Sequence, residues 1–326
     1  MTAGAWKHVR NTFAVALCMM GLIALWITQP LVTMPSKAVL PSVSEETLKA
    51  DVRTLASTYA RRDFAHPSIL EEVAALLEAR FAVAGGRVNS QRYSVDGADY
   101  RNVIARFGPE RGAVTIIGAH YDVAEGSGGA DDNASGIAAL LELARLLGKQ
   151  PPNVPVELVA FTLEEPPAFR TPDMGSYRHA ATIAQGKDRP NSVLVLEMIG
   201  FFTDVAASQR YPSPLLSLIY PDRGDFIAVV GNLSNAGLVR EAKAALSLAG
   251  VPTRSINAPV WLPGIDFSDH ASYWVHGIPA VMVTDTAFYR NPHYHKPTDV
   301  PETLDYRRMA QVVQGVFLAI GTSRED

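Results

Sequence analysis

The sequence predicts an α/β fold, a three-layer sandwich in which helices flank a central, mostly parallel mixed sheet. Two observations predict it. Short apolar runs alternate with segments of helical periodicity along residues 87–320. Most of these runs are apolar on both faces, as strands in the middle of a parallel sheet are. Since no internal repeat or linker interrupts the chain after Val43, we expect a single domain over residues 45–326.

The individual elements follow from the same patterns. Two amphipathic helices are predicted between residues 45 and 84, and Gly85-Gly86 ends the second. Strands are predicted at residues 102–107, 113–119, 154–163, 192–198, 226–230 and 280–284. Further helices are predicted at residues 135–147, 176–185, 233–249 and 304–320. In such sheets ligands bind beyond the carboxyl ends of the strands, so function is sought at that edge.

An uncharged apolar segment precedes the domain. Residues 12–32 are long and apolar enough to cross the roughly 30 Å core of a bilayer as a helix. Lys7 and Arg10 lie just before it, which places the tail of residues 1–11 in the cytoplasm and the domain outside. Residues 33–44 form a linker. A cleaved signal peptide, which would give a secreted protein, and a buried core helix are the alternatives.

Composition narrows the chemistry. The net charge is −4 without any basic block, which argues against a nucleic-acid partner. The single cysteine, Cys18, lies inside the apolar segment, so the domain has no disulfide and no thiol ligand. A metal in the domain must therefore be held by histidine and carboxylate side chains.

Histidines and carboxylates gather where predicted strands give way to loops. The set consists of His120 and Asp122, Asp131 and Asp132, Glu164 and Glu165, Glu197, and the stretch 291–295 with His293 and His295. Taken singly, most have ordinary explanations, such as helix capping or solvated loop charge. Glu197 interrupts an apolar run, where an unpaired carboxylate is costly. Together, two imidazoles and three carboxylates are what two zinc ions sharing one carboxylate need.

These motifs resemble family 28 of the metallopeptidases, the family of the secreted bacterial leucine aminopeptidases. The resemblance runs from about residue 48 to residue 320 and is clearest at residues 119–136, 160–165, 196–200, 267–270 and 277–304. It implies a zinc-peptidase fold and two zinc ions in one pocket. By position, His120 and Glu197 would bind one ion. Glu165 and His295 would bind the other, and Asp131 would bridge both. Family members often have aspartate where this chain has Glu197.

The resemblance also implies roles around the metals. Glu164 matches the general base, a carboxylate that takes a proton from the attacking water and gives it to the leaving amine. Asp122 would orient the imidazole of His120. Tyr294 is a candidate to hydrogen-bond the developing oxyanion, with simple packing as its alternative.

Four further residues receive supporting or competing roles. Asp132 would shape the backbone, because in the family the peptide between the two aspartates is cis. Asp269 and His270 match a motif near the pocket and would support the ligands. His293 competes with His295 as a ligand, and the family pattern favours His295.

The sequence departs from the family after the glutamate pair. Residues 166–174 contain three prolines and precede Gly175-Ser176, whereas relatives commonly proceed quickly to the helix start. We expect a stiff loop at the rim of the cleft, which affects substrate size and leaves the metal chemistry intact.

The expected activity is that of a zinc-dependent exopeptidase acting on peptides with a free N-terminus, since several carboxylates attract an amine. Arg170, Arg223 and Arg290 keep a carboxypeptidase open. A glutaminyl cyclase with one zinc ion and an inactive receptor or scaffold domain are alternatives on the same fold. The complete ligand set counts against both. No Gly-x-Ser-x-Gly elbow, His-Glu-x-x-His helix or phosphate loop occurs.

Overall fold

The helices of the protein alternate with its strands, as the sequence pattern predicts. The computed structural model describes residues 3–29, 39–186 and 190–321. The α-helices in these ranges are α1 Ala3–Thr28, α2 Glu45–Arg53, α3 Pro67–Val83, α4 Gly136–Lys149, α5 Gly175–Gln185, α6 Ala236–Leu248, α7 His270–Val275 and α8 Tyr306–Gly321. The two helices predicted between residues 45 and 84 are α2 and α3.

An eight-stranded sheet forms the centre of the described domain. Its strands are β1 Arg87–Val95, β2 Ala98–Phe107, β3 Thr115–His120, β4 Val156–Phe161, β5 Ser192–Glu197, β6 Ile227–Gly231, β7 Thr253–Asn257 and β8 Ala280–Thr284. They lie in the order β1-β2-β4-β3-β5-β8-β6-β7. The four central strands, β4, β3, β5 and β8, are parallel, while β2 and β6 join them antiparallel. The sheet is therefore mixed, with a parallel centre.

The parallel centre of the sheet is buried on both faces. Every residue of β3, β4, β5 and β8 is buried, as strands covered on both faces must be. On one face the core joins α3, α4 and α8, for example through Leu77, Leu140 and Val313. On the other face Phe161 packs with Ala180 of α5 and Tyr273 of α7. This three-layer arrangement confirms the predicted fold class.

Three elements were absent from the prediction, and each is weakly patterned. β1 is an edge strand whose residues are mostly exposed or half-buried, and it pairs with β2 through the Asp96-Gly97 turn. β7, at the opposite edge, consists of five residues with an exposed arginine. α7 has only six residues. Edge strands and single-turn helices bury little apolar surface, so their sequences carry little periodicity.

The N-terminal helix stands out from the domain. Every described side chain from Asn11 to Ile23 is exposed, and Trp26 and Thr28 in the last turn accept hydrogen bonds from the domain. By length and composition, Arg10–Thr28 is a segment that can cross a membrane. The predicted span continues to residue 32 and the predicted linker covers residues 33–44. Residues 30–38 of these predictions lie outside the described part of the chain, as do residues 1–2 and 322–326.

Candidate metal and catalytic site

The predicted ligands meet at the carboxyl ends of three central strands. His120 is the last residue of β3 and Glu197 the last of β5. Glu164 and Glu165 follow β4 after two residues, and His295 comes from the loop between β8 and α8. Because these strands are parallel and adjacent, their ends deliver the side chains to one place.

Asp132 lies between the two imidazoles of this cluster. Its Oδ1 is 3.3 Å from Nε2 of His120, and its Oδ2 is 3.1 Å from Nε2 of His295. Glu197 Oε2 is 3.4 Å from Nε2 of His120, and Glu165 Oε1 is 3.3 Å from Nε2 of His295. The cluster thus has two halves, each with one imidazole and one glutamate, and Asp132 belongs to both.

This geometry corrects the assignment of Asp131 as the shared ligand. Asp131 points away from the imidazoles: its Oδ1 accepts the backbone N–H of Gly200 at 2.9 Å and its Oδ2 accepts the side-chain amide of Asn291 at 2.7 Å. The cis peptide is also one residue further along than predicted, between Asp132 and Asn133. Adjacent residues in an irregular turn project in different directions, and the motif alone did not separate them.

The residues beside the ligands have unusual backbone conformations. Leu163, just before Glu164, and Met198, just after Glu197, have φ values of 58° and 50°. His295 itself has a φ of 54°. Left-handed conformations are unfavourable for side chains of this kind and persist only where surrounding contacts impose them. Such conformations therefore occur just after β4, just after β5 and at His295.

Asp122 connects β3 to the glutamate pair. Its Oδ1 accepts the backbone N–H of Glu164 at 3.1 Å, and its Oδ2 accepts that of Glu165 at 3.0 Å. The Nδ1 atom of His120 lies 3.4 Å from Asp122 Oδ1 and 3.2 Å from its backbone oxygen. One buried carboxylate therefore positions both glutamates as well as the imidazole, which is a wider role than the sequence predicted.

A network behind the aspartate pair was missed by the sequence reasoning. The carboxylate of Asp299 accepts the backbone N–H groups of Asp131 at 2.9 Å and Asp132 at 3.1 Å. The guanidinium of Arg62 is fully buried and donates to the backbone oxygens of Tyr121 at 2.8 Å and Gly129 at 2.6 Å. Asp299 lies within the 277–304 stretch that carries the resemblance, whereas nothing near Arg62 in the sequence marks it.

Burial and crowding shift the protonation of the cluster. Burial raises the pKa of Glu164 well above its usual value, and neighbouring carboxylates add to the effect. Burial and the charge of Asp132 raise the pKa of Glu165 to about 7. Burial opposes charge on His295, but Asp132 and Glu165 outweigh it and raise its pKa to about 10. The imidazoles of His120 and His295 lower the pKa of Asp132, although burial alone would raise it. Strongly shifted pKa values in one cluster are typical of functional sites.

The donor atoms of the cluster fit metal ions. Three overlapping groups have their donor atoms within 4.8 Å of one another: His120, Asp132 and Glu197; His120, Glu164 and Glu165; and Asp132, Glu165 and His295. Within the described residues, the buried atoms His120 Nε2, Asp132 Oδ1 and Glu165 Oε1 have no hydrogen-bond partner. Buried polar atoms left without partners are costly, and cations between them would satisfy all three. Imidazole and carboxylate donors suit zinc.

Other predicted residues take distinct places. Tyr294 stacks on the His295 ring, with centroids 3.8 Å apart. His293 is outside the cluster, and its Nδ1 lies 2.9 Å from the hydroxyl of Thr298. Asp269 is fully buried, and burial raises its pKa to about 7. His270 donates from Nε2 to the backbone oxygen of Ile265 at 2.7 Å. Asp269 and His270 are both buried, and their supporting role stays a prediction.

An apolar cavity of about 110 Å³ opens beside the cluster. Glu197 and Tyr294 belong to its lining, and the walls are largely apolar and aromatic, with Phe226, Met282 and Phe288 among them. Residues 166–174 form part of the neighbouring surface. There the guanidinium of Arg170 lies over the ring of Phe267, which also lines the cavity, and pairs with Asp266 at 2.5 Å. The proline-containing loop is therefore tied to the loop beside the cavity.

Comparison with known proteins assigns the family. The model of peptidase family M28 matches residues 102–320. The chain is 47% identical over 291 residues to the uncharacterized protein YfbL of Escherichia coli K12, covering 86% of this chain and 89% of the relative. The fold is similar to a zinc aminopeptidase from Bacillus subtilis (TM-score 0.68, 14% identity, 87% and 95% of the two chains). It is also similar to a glutaminyl cyclase from Tannerella forsythia (TM-score 0.66, 19% identity, 87% and 100%). The chain belongs to peptidase family M28.

Proposed function

We propose that the protein is a zinc-dependent aminopeptidase that removes the N-terminal residue of peptides. One observation carries this proposal: Asp132 presents one carboxylate oxygen to His120 and the other to His295. A single shared carboxylate between two histidine-glutamate halves is the donor arrangement that two neighbouring zinc ions need.

The residues that would hold the metals follow from the two halves of the cluster. His120 and Glu197 would bind one zinc ion, and Glu165 and His295 the other, with Asp132 shared. When bound, the ions would lower the pKa of a water molecule and polarise the peptide carbonyl. Asp122 would keep the imidazole of His120 and the backbone of the glutamate pair in place.

Glu164 is the proposed general base. It is buried, and its Oε2 lies 3.9 Å from His120 Nε2, so it adjoins the metal ligands. Its raised pKa suits a group that accepts a proton from the attacking water and then donates it to the leaving amine. Tyr294, which lines the cavity and stacks on His295, is the proposed hydrogen-bond donor to the developing oxyanion.

The charges around the site favour an aminopeptidase over a carboxypeptidase. Five buried carboxylates lie in or beside the cluster, and together they would attract a free amine: Asp132, Glu164, Glu165, Glu197 and Asp269. Two arginines considered for a substrate carboxylate have other partners. Arg170 pairs with Asp266, and Arg290 is buried and donates to Phe226 O at 2.7 Å. The apolar cavity would accept the side chain of a large apolar N-terminal residue.

Glutaminyl cyclisation is the second candidate, because glutaminyl cyclases share the fold. It needs one zinc ion and no water. The donor set has two halves, which favours two ions and hydrolysis. The complete set also argues against an inactive scaffold, in which some ligands would be expected to be lost.

We further propose that α1 anchors the protein in a membrane with the domain outside the cytoplasm. The exposed apolar helix and the basic residues before it support this. Secretion after cleavage is the alternative, and the molecular mass of the mature protein distinguishes the two.

The test combines metal analysis with catalysis. The full-length protein is purified in detergent, and its zinc content is measured alongside hydrolysis of an aminoacyl-anilide panel and cyclisation of glutaminyl peptides. The same measurements are made on Glu164→Gln and on the exposed control Glu72→Gln. We expect two zinc ions in all three proteins, and a loss of turnover of about 10²-fold or more only in Glu164→Gln. One ion with cyclisation supports the cyclase, and a metal-free inert protein refutes both enzymes.

A further inference from the structure

The last turn of α1 is held against the edge strand β7. The side-chain amide of Asn257 donates to the backbone oxygen of Trp26 at 3.2 Å, and the hydroxyl of Ser255 donates to that of Thr28 at 2.8 Å. From α6, Lys243 Nζ also donates to Thr28 O at 2.7 Å. The last carbonyl groups of a helix have no donor within the helix, so those of α1 need donors from the domain. The helix is therefore joined to the domain at a defined place.

These contacts fix the direction in which α1 leaves the domain. Along α1 the chain passes from Trp26, beside Asn257, to Thr28, beside Ser255. The preceding part of the helix therefore projects beyond the Asn257 end of β7. Its described side chains from Asn11 to Ile23 are all exposed.

The strand register places this exit opposite the metal cluster. Asn257 of β7 pairs with Gly231 of β6. In the antiparallel pair of β6 and β8, Ala228 lies opposite Thr284, which is level with Glu197. Gly231 is three residues further from Glu197, or about 10 Å at the usual rise of a strand. We call the end of the sheet formed by Gly231 and Asn257 the far edge.

The length of the apolar segment brings the bilayer up to the far edge. Arg10–Thr28 comprises 19 residues, or about 28 Å of helix, against a hydrocarbon core of about 30 Å. The whole segment is therefore needed to span the core. Yet its final residues, Trp26 to Thr28, already lie beside β7. No helical spacer therefore separates the domain from the bilayer, and the domain lies close to the membrane surface.

Exposed apolar side chains occupy this edge. Leu233 follows β6 and is 46% exposed, and Val260 and Trp261 follow β7 and are 51% and 78% exposed. Ala258 donates its backbone N–H to Gly231 O, which holds the start of the segment after β7 at the far edge. Tryptophan and aliphatic side chains of this kind are favoured at the boundary between hydrocarbon and headgroups.

We propose that the far edge is a membrane-contact surface: Leu233, Val260 and Trp261 insert into the bilayer interface beside α1, and the metal cluster faces away from the membrane into the solvent. Substrate peptides then reach the cluster from solution and not along the lipid surface. This inference rests on α1 spanning the membrane, as proposed above, and not on the chemistry of the cluster.

The test uses fluorescence quenching by lipids. Full-length protein in a Cys18→Ser background receives one cysteine, at Val260 or Trp261, and carries an environment-sensitive dye in phosphatidylcholine–phosphatidylglycerol vesicles with spin-labelled acyl chains. Val205→Cys is the matched control, because Val205 is 67% exposed and follows β5, the strand that ends at Glu197 of the cluster. Protein with only its native Cys18 labelled reports on the span itself.

We expect the dyes at residues 260 and 261 to lose more than half of their emission to lipids labelled near the headgroup. The dye at residue 205 should keep its emission. If the dyes at 260 and 261 behave like the dye at 205 while the Cys18 dye is quenched, the contact surface is refuted and the anchor stands. If the Cys18 dye is not quenched either, the anchor fails and the inference fails with it. None of these quenching results depends on peptidase activity, so the proposed chemistry is tested separately.

Discussion

The hydroxyl of Ser268 donates a 2.7 Å hydrogen bond to Oε2 of Glu197, the same oxygen that faces His120. Both residues are buried. This contact fixes the position of the Glu197 carboxylate. A buried hydroxyl that orients a ligand carboxylate affects metal affinity without touching the metal.

Replacing Ser268 should therefore weaken one metal site. In Ser268→Ala we expect zinc affinity at the His120–Glu197 half to fall by about 10- to 100-fold, with the other half unchanged. Zinc titration of metal-depleted protein, followed by calorimetry, measures both sites. Ser217→Ala, at an exposed serine, is the control. Equal affinities in variant and wild type would remove Ser268 from the site.

The two adjacent aspartates should differ sharply on substitution. Asp132→Asn removes the carboxylate shared by both imidazoles, so we expect the loss of at least one zinc ion and of turnover. Burial and the neighbouring Asp285 raise the pKa of Asp131, and its carboxylate oxygens accept from Gly200 and Asn291 and face neither imidazole. Asp131→Asn should keep its metal. Zinc content per chain decides between them, and the reverse pattern would restore Asp131 as the bridging ligand.

Arg62 should be required for stability. Its guanidinium is fully buried and donates to the backbone oxygens of Leu55, Tyr121 and Gly129. In Arg62→Met these oxygens lose their donors, and we expect the free energy of unfolding to fall by about 3 kcal/mol or more. The neighbouring Arg61 is exposed, and Arg61→Met should change it by less than about 0.5 kcal/mol. Urea unfolding of both variants provides the measurement.

His270 should make the domain sensitive to mild acid. Burial lowers its pKa from 6.5 to about 4, so the folded protein resists protonation that the unfolded chain accepts. The contribution of His270 is fully present above pH 6.5 and is lost as the pH falls towards 4, by about 3 kcal/mol in all. His270→Gln removes this titration. The difference in unfolding free energy between wild type and variant, measured at pH 7.5 and pH 5, should therefore shrink at the lower pH.

The cavity should set the preference for the N-terminal residue. Ala228 lines it from β6, and Ala228→Leu would fill part of its volume. We expect kcat/KM for leucyl-anilide to fall by about 10- to 100-fold, while the value for alanyl-anilide changes little. A uniform loss on both substrates would indicate general damage, and no loss would place the substrate side chain elsewhere.

The sequence alone determined the fold class and the positions of most site residues. Apolar runs and helical periodicity are local properties, so they located the central strands and the polar residues at their ends, such as His120, Glu165 and Glu197. The weakly patterned β1, β7 and α7 escaped because edge and single-turn elements bury too little surface to impose a pattern. Only the tertiary structure placed Asp132, and not Asp131, between the two imidazoles, because Asp299 and Asn291, far along the chain, hold the turn that orients them. It likewise decided the cavity and the direction of α1, since both depend on contacts between segments that no local pattern relates.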